Sequence, residues 1–214
     1  MVIEGPHLLA AALAAGIQPV AVFGTEAGLA RCELTGLALS PGVFRTIADA
    51  ETPQGVAAEV PIPQLKGDHP AVFLEGIQDA GNVGAIIRSA AAFGIRSVCL
   101  DRGCADPWSP KVLRAGMGGH FVTAVRQVDD LPAAIAGTRL LCTVVKGGRL
   151  LRDMDLSGRI GWAFGAEGSG LSTELLELAA EQVTIPMAAG ESLNVAAAAA
   201  VCFYEAFSRP AAGS

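Results

Sequence analysis

Apolar positions along this chain switch between two spacings. From residue 71 onward, short apolar and β-branched runs near 71–76, 97–101, 121–126, 140–145, 160–165 and 182–186 alternate with stretches of helical spacing near 82–93, 109–117, 129–136, 172–181 and 194–207. A strand–helix rhythm of this kind predicts an α/β fold, a mainly parallel sheet with helices on both faces. Ligands of such sheets bind beyond the carboxyl ends of the strands. In the last repeat the strand Gln182 to Ile185 is stopped by Pro186, which has no N–H for a sheet ladder, and the chain turns through Gly190 before a helix opens. That helix is apolar nearly all round, at Val195, Ala198, Ala199, Cys202, Phe203 and Phe207, which predicts that it is buried.

Residues 1–65 read as a separate small α/β unit. Leu8, Leu9, Ala12 and Leu13 share helical spacing ahead of Gly16, and Pro19 to Phe23 is a compact strand closed by Gly24. Thr25 to Arg31 and Pro41 to Ala50 read as helices, the latter with proline in its first turn, and Gly55 to Ile62 as another strand. His7 stands alone beside a helix start and is expected to be structural. Proline and polar residues crowd between Pro61 and Pro70, which puts a linker at 66–70 and a second domain at 71–214.

At 214 residues the chain can bury a substantial core. A net charge of −6 argues, at face value, against a polyanionic partner. The distribution changes that picture: residues 88–159 hold eleven basic side chains against six acidic ones, while both flanks are acidic. Such a zone is compatible with nucleic acid, a solvated face being the plainer explanation. Five scattered cysteines, with no C-x-x-C and no histidine at ligand spacing, indicate neither a disulfide framework nor a metal site and fit a reducing cytoplasm. No apolar stretch reaches the roughly 18 residues of a membrane span, and Met1 to Pro6 lacks the basic start of a secretory signal.

Three loops after strand ends are rich in glycine and polar residues. In the first, Leu74 to Arg88, the positions Val83, Ile86, Ile87 and Ala90 form an apolar stripe, while Arg88 lies among Gly84, Ala85, Ala91 and Ala92. An arginine surrounded by small residues has open space for a phosphate, or else merely covers a helix surface. In the second, Phe164-Gly165-Ala166-Glu167-Gly168-Ser169-Gly170-Leu171-Ser172, glycines bracket one carboxylate, so the backbone can approach a ligand while Glu167 reaches it. An ordinary turn with Ser172 as N-cap is the plainer reading, and the pattern is neither G-x-G-x-x-G nor a P-loop. The third runs from Ile185 to Val195, where Ser192 and Asn194 either cap the following helix or belong to a site at its start.

In order and spacing, the three loops together resemble the motifs of the SpoU (TrmH-type) branch of the SPOUT RNA methyltransferases. The matching patterns are N-x-G-x-x-x-R from Asn82 to Arg88, G-x-E-G-x-G from Gly165 to Gly170, and I-P-M with S-L-N-V from Ile185 to Val195. The resemblance covers about residues 71–209, and Ile3-Glu4-Gly5-Pro6 with its helix is similar, more loosely, to the substrate-binding domain that often comes first. It implies a C-terminal part threaded as a trefoil knot, against the general avoidance of knots. S-adenosylmethionine would bind there without a metal, and a homodimer would methylate ribose 2′-hydroxyls of rRNA, 23S-type first, or of tRNA. Position by position, it implies Asn82, Arg88, Glu167, Ser192 and Asn194 as the polar active-site residues. Thr143, Gly165, Gly168, Ile185, Met187 and Leu193 would be the cofactor-binding ones. A non-catalytic RNA-binding protein that keeps the fold is the rival reading.

Two positions depart from the pattern. Four residues, not five, separate Met187 from Ser192, which implies a tighter loop, and Ala196 stands where many relatives carry serine. Relatives with the leading domain also tend to carry a basic extension before it, so weaker RNA affinity is expected of a chain starting at Met1.

Overall fold

The computed structural model describes residues 1–69 and 71–209; Pro70 of the expected linker and residues 210–214 of the expected second domain lie outside the described residues. The N-terminal part runs β1 (Val2–Glu4), α1 (Pro6–Ala14), β2 (Ala21–Gly24), α2 (Glu26–Arg31), β3 (Leu37–Ala38), α3 (Pro41–Ile47) and β4 (Val56–Glu59). Its sheet has the order β1-β4-β2-β3, with β4 antiparallel to both neighbours. Thr25 and Ser40 cap α2 and α3 by accepting from Gly28 N and Val43 N. Strands β1 and β3 have only three and two residues, too few for alternation to register in a sequence.

The second part runs β5 (Ala71–Glu75), α4 (Ala80–Ala92), β6 (Ser97–Leu100), α5 (Pro110–Gly116), β7 (Ala124–Gln127), α6 (Leu131–Ile135), β8 (Arg139–Thr143), β9 (Arg149–Leu150), β10 (Ile160–Gly165), α7 (Thr173–Leu178), β11 (Glu181–Thr184) and α8 (Val195–Ser208). Its seven strands lie in the order β7-β6-β5-β10-β8-β11-β9, all parallel. Alternation along the strands divides the core in two. Val72, Leu74, Val98, Leu100, Trp162 and Phe164 pack against Val83, Ile86 and Ile87 of α4 and Ala199, Cys202 and Phe203 of α8. Ala71, Phe73, Cys99, Leu140, Cys142 and Ala163 face Leu131 and Ile135 of α6 and Leu175 of α7. Both faces are covered, so these strands read as near-continuous apolar runs.

Five expectations change. A 3-10 turn, Gly119–Phe121, occupies the start of the expected strand near 121–126, and α7 stops at Leu178 because β11 begins at Glu181. The small residues around Arg88 are not all open space. A Cβ on Gly84 would collide with Ala115 and lie 2.6 Å from the Val112 carbonyl oxygen, and one on Gly119 would lie 2.9 Å from the Ile87 carbonyl oxygen. Glycine is there so that α4 can close on α5 and the 3-10 turn. Helix α8 is buried on one side only, with Val201, Tyr204 and Phe207 exposed at 41%, 57% and 65%. Finally, of the eleven basic residues in 88–159, six pair with carboxylates: Arg102, Arg114, Arg139, Arg149, Arg152 and Arg159.

The two sheets meet through α5 and the turn after it. Leu113 and Phe121 complete the core formed by Ile3, Leu8, Leu9 and Val56, and Arg114 reaches Asp49 at 2.6 Å. The expected linker is pressed onto the amino ends of β6 and β7: a Cβ on Gly67 would lie 2.8 Å from the Cβ atoms of both Ser97 and Ala124.

Candidate active site

At the carboxyl ends of β8, β10 and β11 the chain encloses a cavity of about 620 Å³. This is within the usual range for small-molecule sites, ~300–1,000 Å³. Its walls are the strand exits Thr143, Val144 and Val145, the loop Gly165 to Gly170, and the segment from Ile185 to Ala198. All six expected cofactor positions, Thr143, Gly165, Gly168, Ile185, Met187 and Leu193, line it, as do Glu167, Ser192 and Asn194. Leu193 is 41% exposed, an apolar side chain left uncovered in a cavity wall. Val144 and Val183 line it too and were not singled out in the sequence, because apolar residues at strand ends look like any other core residue.

A hydrogen-bonded cluster forms the polar rim. Asn82 Nδ2 donates to Glu167 Oε1 at 2.9 Å, and Asn194 Nδ2 donates both to Asn82 Oδ1 at 2.9 Å and to Glu167 Oε1 at 3.1 Å. The amide of Asn194 has only one workable orientation, since its Oδ1 accepts from the N–H groups of Ala196 and Ala197 as the N-cap of α8. Its NH2 group must then face Glu167. Asp79 caps α4 by accepting from Asn82 N at 2.8 Å, which fixes where Asn82 starts. The start of α8, with its partial positive charge, thus sits beside the Glu167 carboxylate.

Residues outside the motifs hold these loops in place. Asp101, at the end of β6, accepts from Gly76 N at 3.0 and 3.1 Å and from Cys104 N at 3.0 Å. Cys104 accepts from Ile77 N and donates to the Leu74 carbonyl. Burial, and then Asp101, push its thiol up to about 12, so the proton needed for that donation stays on. Glu75 accepts from Ser172 N at 2.7 Å, tying the exit of the glycine loop to β5. Within that loop Gly165 is required by the loop itself: a Cβ there would collide with the Gly170 carbonyl group, across the Ala166–Gly170 bridge. Gly168 and Gly170 have φ of +97° and +70°, where side chains are strained.

Some expected site residues are less engaged. Thr143 Oγ1 donates to the Ala163 carbonyl at 2.9 Å, so its proton is used within the sheet. Ser192 lies exposed on the cavity wall without a hydrogen bond among the described residues. Arg88 is exposed on α4, makes neither an ion pair nor a hydrogen bond among the described residues, and is not part of the cavity lining.

The residues fit S-adenosylmethionine. Apolar walls suit an adenine ring and a thioether stem, backbone groups of the glycine loop and strand ends can read polar edges, and two carboxylates in the lining, Glu167 and Glu191, can compensate a sulfonium.

The profile of the SpoU rRNA Methylase family matches residues 69–204. The chain is 34% identical over 215 residues to the 23S rRNA (guanosine(2553)-2′-O)-methyltransferase RlmP of Bacillus subtilis, covering 94% of this chain and 86% of that one. It is 38% identical over 179 residues to an uncharacterised tRNA/rRNA methyltransferase of Synechocystis, covering 78% of this chain and 65% of that protein's length. The SpoU methyltransferase AviRb of Streptomyces viridochromogenes, solved in complex with AdoMet, superposes with a TM-score of 0.83 at 26% identity, covering 97% of this chain and 89% of that one. The chain therefore belongs to the SpoU family of RNA methyltransferases, enzymes that methylate ribose 2′-hydroxyls and take the methyl group from S-adenosylmethionine.

Proposed function

We propose that this protein methylates a ribose 2′-hydroxyl of ribosomal RNA, 23S-type first, or of tRNA. One observation carries the reading: the cavity at the carboxyl ends of the strands has apolar walls for the cofactor and a rim built from Asn82, Glu167 and Asn194. The printed 23S specificity of the Bacillus relative supports rRNA as the first substrate to try.

S-adenosylmethionine supplies an electrophilic methyl group on a sulfonium, and the chain's own residues arrange the rest. A ribose hydroxyl is a weak nucleophile at neutral pH and must lose its proton as it attacks. Glu167 Oε2 has no hydrogen bond among the described residues and can accept from that hydroxyl, while Oε1 is held by the two asparagines. Ser192, on the same wall, orients the hydroxyl or the cofactor. Arginine is in effect always protonated, so Arg88 serves as a cation that holds the target phosphate and stabilises the developing alkoxide. Thr143, Gly165, Gly168, Ile185, Met187 and Leu193 form the cofactor wall.

Residues 1–65 act as the RNA substrate-binding domain, 66–70 as the linker and 71–214 as the catalytic domain, with the C-terminal part threaded as a trefoil knot. The working form is a cytoplasmic homodimer. No helix among the described residues is long and apolar enough to cross a membrane.

Tritiated methyl transfer to total rRNA and tRNA, followed by mapping of ribose methylation, tests the reading. Transfer to one ribose site is expected; cofactor binding without transfer to any RNA would favour the non-catalytic RNA-binding alternative.

A further inference from the structure

The charge balance of the 88–159 zone narrows where RNA phosphates can be held. With six of its basic residues paired, five remain without a carboxylate partner among the described residues: Arg88, Arg96, Lys111, Arg126 and Lys146. Arg126 lines a second cavity, of about 160 Å³, at the amino ends of β5 and β6, together with Arg159, Ser97 and the strap from Gly67 to His69. The larger cavity lies at the opposite ends of the same sheet, separated by the length of a five-residue strand, roughly 16 Å.

The small cavity is rich in donors. Ser97 is 3% exposed, yet its hydroxyl reaches only the Cys99 sulfur, at 3.8 Å, and Arg126 Nη2 likewise touches only that sulfur, at 3.7 Å. A buried hydroxyl whose only partner is a thiol is poorly satisfied, and the exposed Arg126 has no carboxylate to hold its guanidinium among the described residues. The ring of His69 bonds to the Ile160 carbonyl at 3.2 Å and to Thr138 Oγ1 at 3.3 Å, so it forms a fixed wall. Asp68 is the one carboxylate in the lining, bonded to Arg159 at 3.2 Å. Its carboxyl is held below the ordinary range by the His69 backbone N–H, then by Arg159, and also by the His69 ring and Arg96; Arg96 is exposed and directly precedes Ser97 at the amino end of β6. Two guanidinium groups in the lining, Arg126 and Arg159, against one carboxylate leave an excess of positive charge around a notch that holds about one tetrahedral oxyanion with water, taking ~30 Å³ per water.

We propose that this notch is a phosphate site that grips a backbone phosphodiester of the RNA substrate, several nucleotides away from the methylated ribose, with Arg126 and Ser97 as direct donors and Arg96 and Arg159 as rim charges. The inference rests on the reading of the protein as an RNA methyltransferase. It also accounts for how a protein of net charge −6 holds a polyanion: the attraction is local, at unpaired guanidinium groups, rather than spread over the molecule.

RNA affinity against salt concentration, for an rRNA fragment that the wild type methylates, tests it. Arg126→Gln should make the logarithmic salt slope shallower by about 0.7, and Arg96→Gln/Arg126→Gln by about 1.4, the counterion release of one and two phosphate contacts on a single strand. Asp68→Asn should tighten binding, because it removes the only carboxylate in the notch, whereas Arg102→Gln, which breaks a pair with Asp129 elsewhere, should leave the slope unchanged. Cofactor affinity measured on each variant separates these effects from loss of fold. Unchanged slopes in both arginine variants would overturn the proposal, as would inorganic phosphate binding to the notch without competing with RNA at constant ionic strength. Failure of the wild type to methylate any RNA would instead overturn the functional reading beneath it.

Discussion

Asn194 does two jobs with two different atoms. Its Oδ1 caps α8 while its Nδ2 bridges Asn82 and Glu167, so the cap and the site, which the sequence leaves as alternatives, coexist. The two roles can be separated. Asn194→Asp keeps a cap acceptor and a favourable charge at the helix start, so its thermal midpoint should stay near wild type, yet it sets a second carboxylate against Glu167 and should lose most methyl transfer. Asn194→Ala should lose both, with about 1 kcal/mol of stability gone in urea unfolding. In the proposed function Arg88 acts where charge develops. Arg88→Ala is expected to lower turnover by about 100-fold or more, as for one transition-state donor, with cofactor affinity unchanged. Arg88→Lys should recover little, because it keeps the charge but loses the planar fork. Leu193→Arg, which puts a charge into the cavity wall, should abolish cofactor binding in calorimetry.

At the scale of elements, α8 is the segment whose sequence and structure differ most usefully. An all-round apolar helix ought to be buried, but in the single chain Val201, Tyr204 and Phe207 stay exposed, and Phe93 of the neighbouring turn packs against Tyr204 and Phe207 at ring-centroid distances of 6.0 and 5.9 Å. An apolar face of this kind is what a partner surface looks like. Light scattering at micromolar concentration should therefore give the mass of a dimer, and Val201→Glu with Tyr204→Glu should give a monomer that still folds. The reverse surprise concerns α4. Its small residues suggested room around Arg88, whereas Gly84 is buried against α5. Spacing shows that two helix surfaces can approach; it does not show whether one does.

At the scale of the whole molecule, His120 sits where the two parts meet. It is 1% exposed, its ring tilted against that of Trp108 with centroids 5.4 Å apart, and its Nε2 lacks a partner among the described residues. Burial lowers its pKa to about 4, against a smaller opposing effect of the Pro107 carbonyl. The unfolded chain, with an ordinary histidine pKa of about 6.5, then binds a proton that the folded chain refuses. This histidine's share of stability is complete above about pH 6.5, falls as pH drops, and is gone near pH 4. Urea midpoints measured between pH 7 and 4.5 should decline, and His120→Phe should flatten the part of that decline due to this group, on the order of 3 kcal/mol at most.

The sequence by itself determined the strand–helix alternation, the parallel sheet, most element boundaries to within a few residues and three glycine-rich loops, two of which line the large cavity while the first supplies Asn82 to its rim. These follow from local periodicity and from turn residues, which act over a few positions. Family resemblance in the same loops led to the methyltransferase class. Tertiary structure alone decided which polar groups meet. Asn82 and Asn194 are 112 residues apart in the chain and share one carboxylate because β5 and β10 are neighbours in the sheet and α8 packs back onto α4 and β10. It also decided that Asp101 and Glu75 hold the loops from adjoining strands, and that six of the basic residues are neutralised. Strand order, side-chain partners and charge pairing depend on contacts between distant segments, and no window of sequence contains both sides of such a contact.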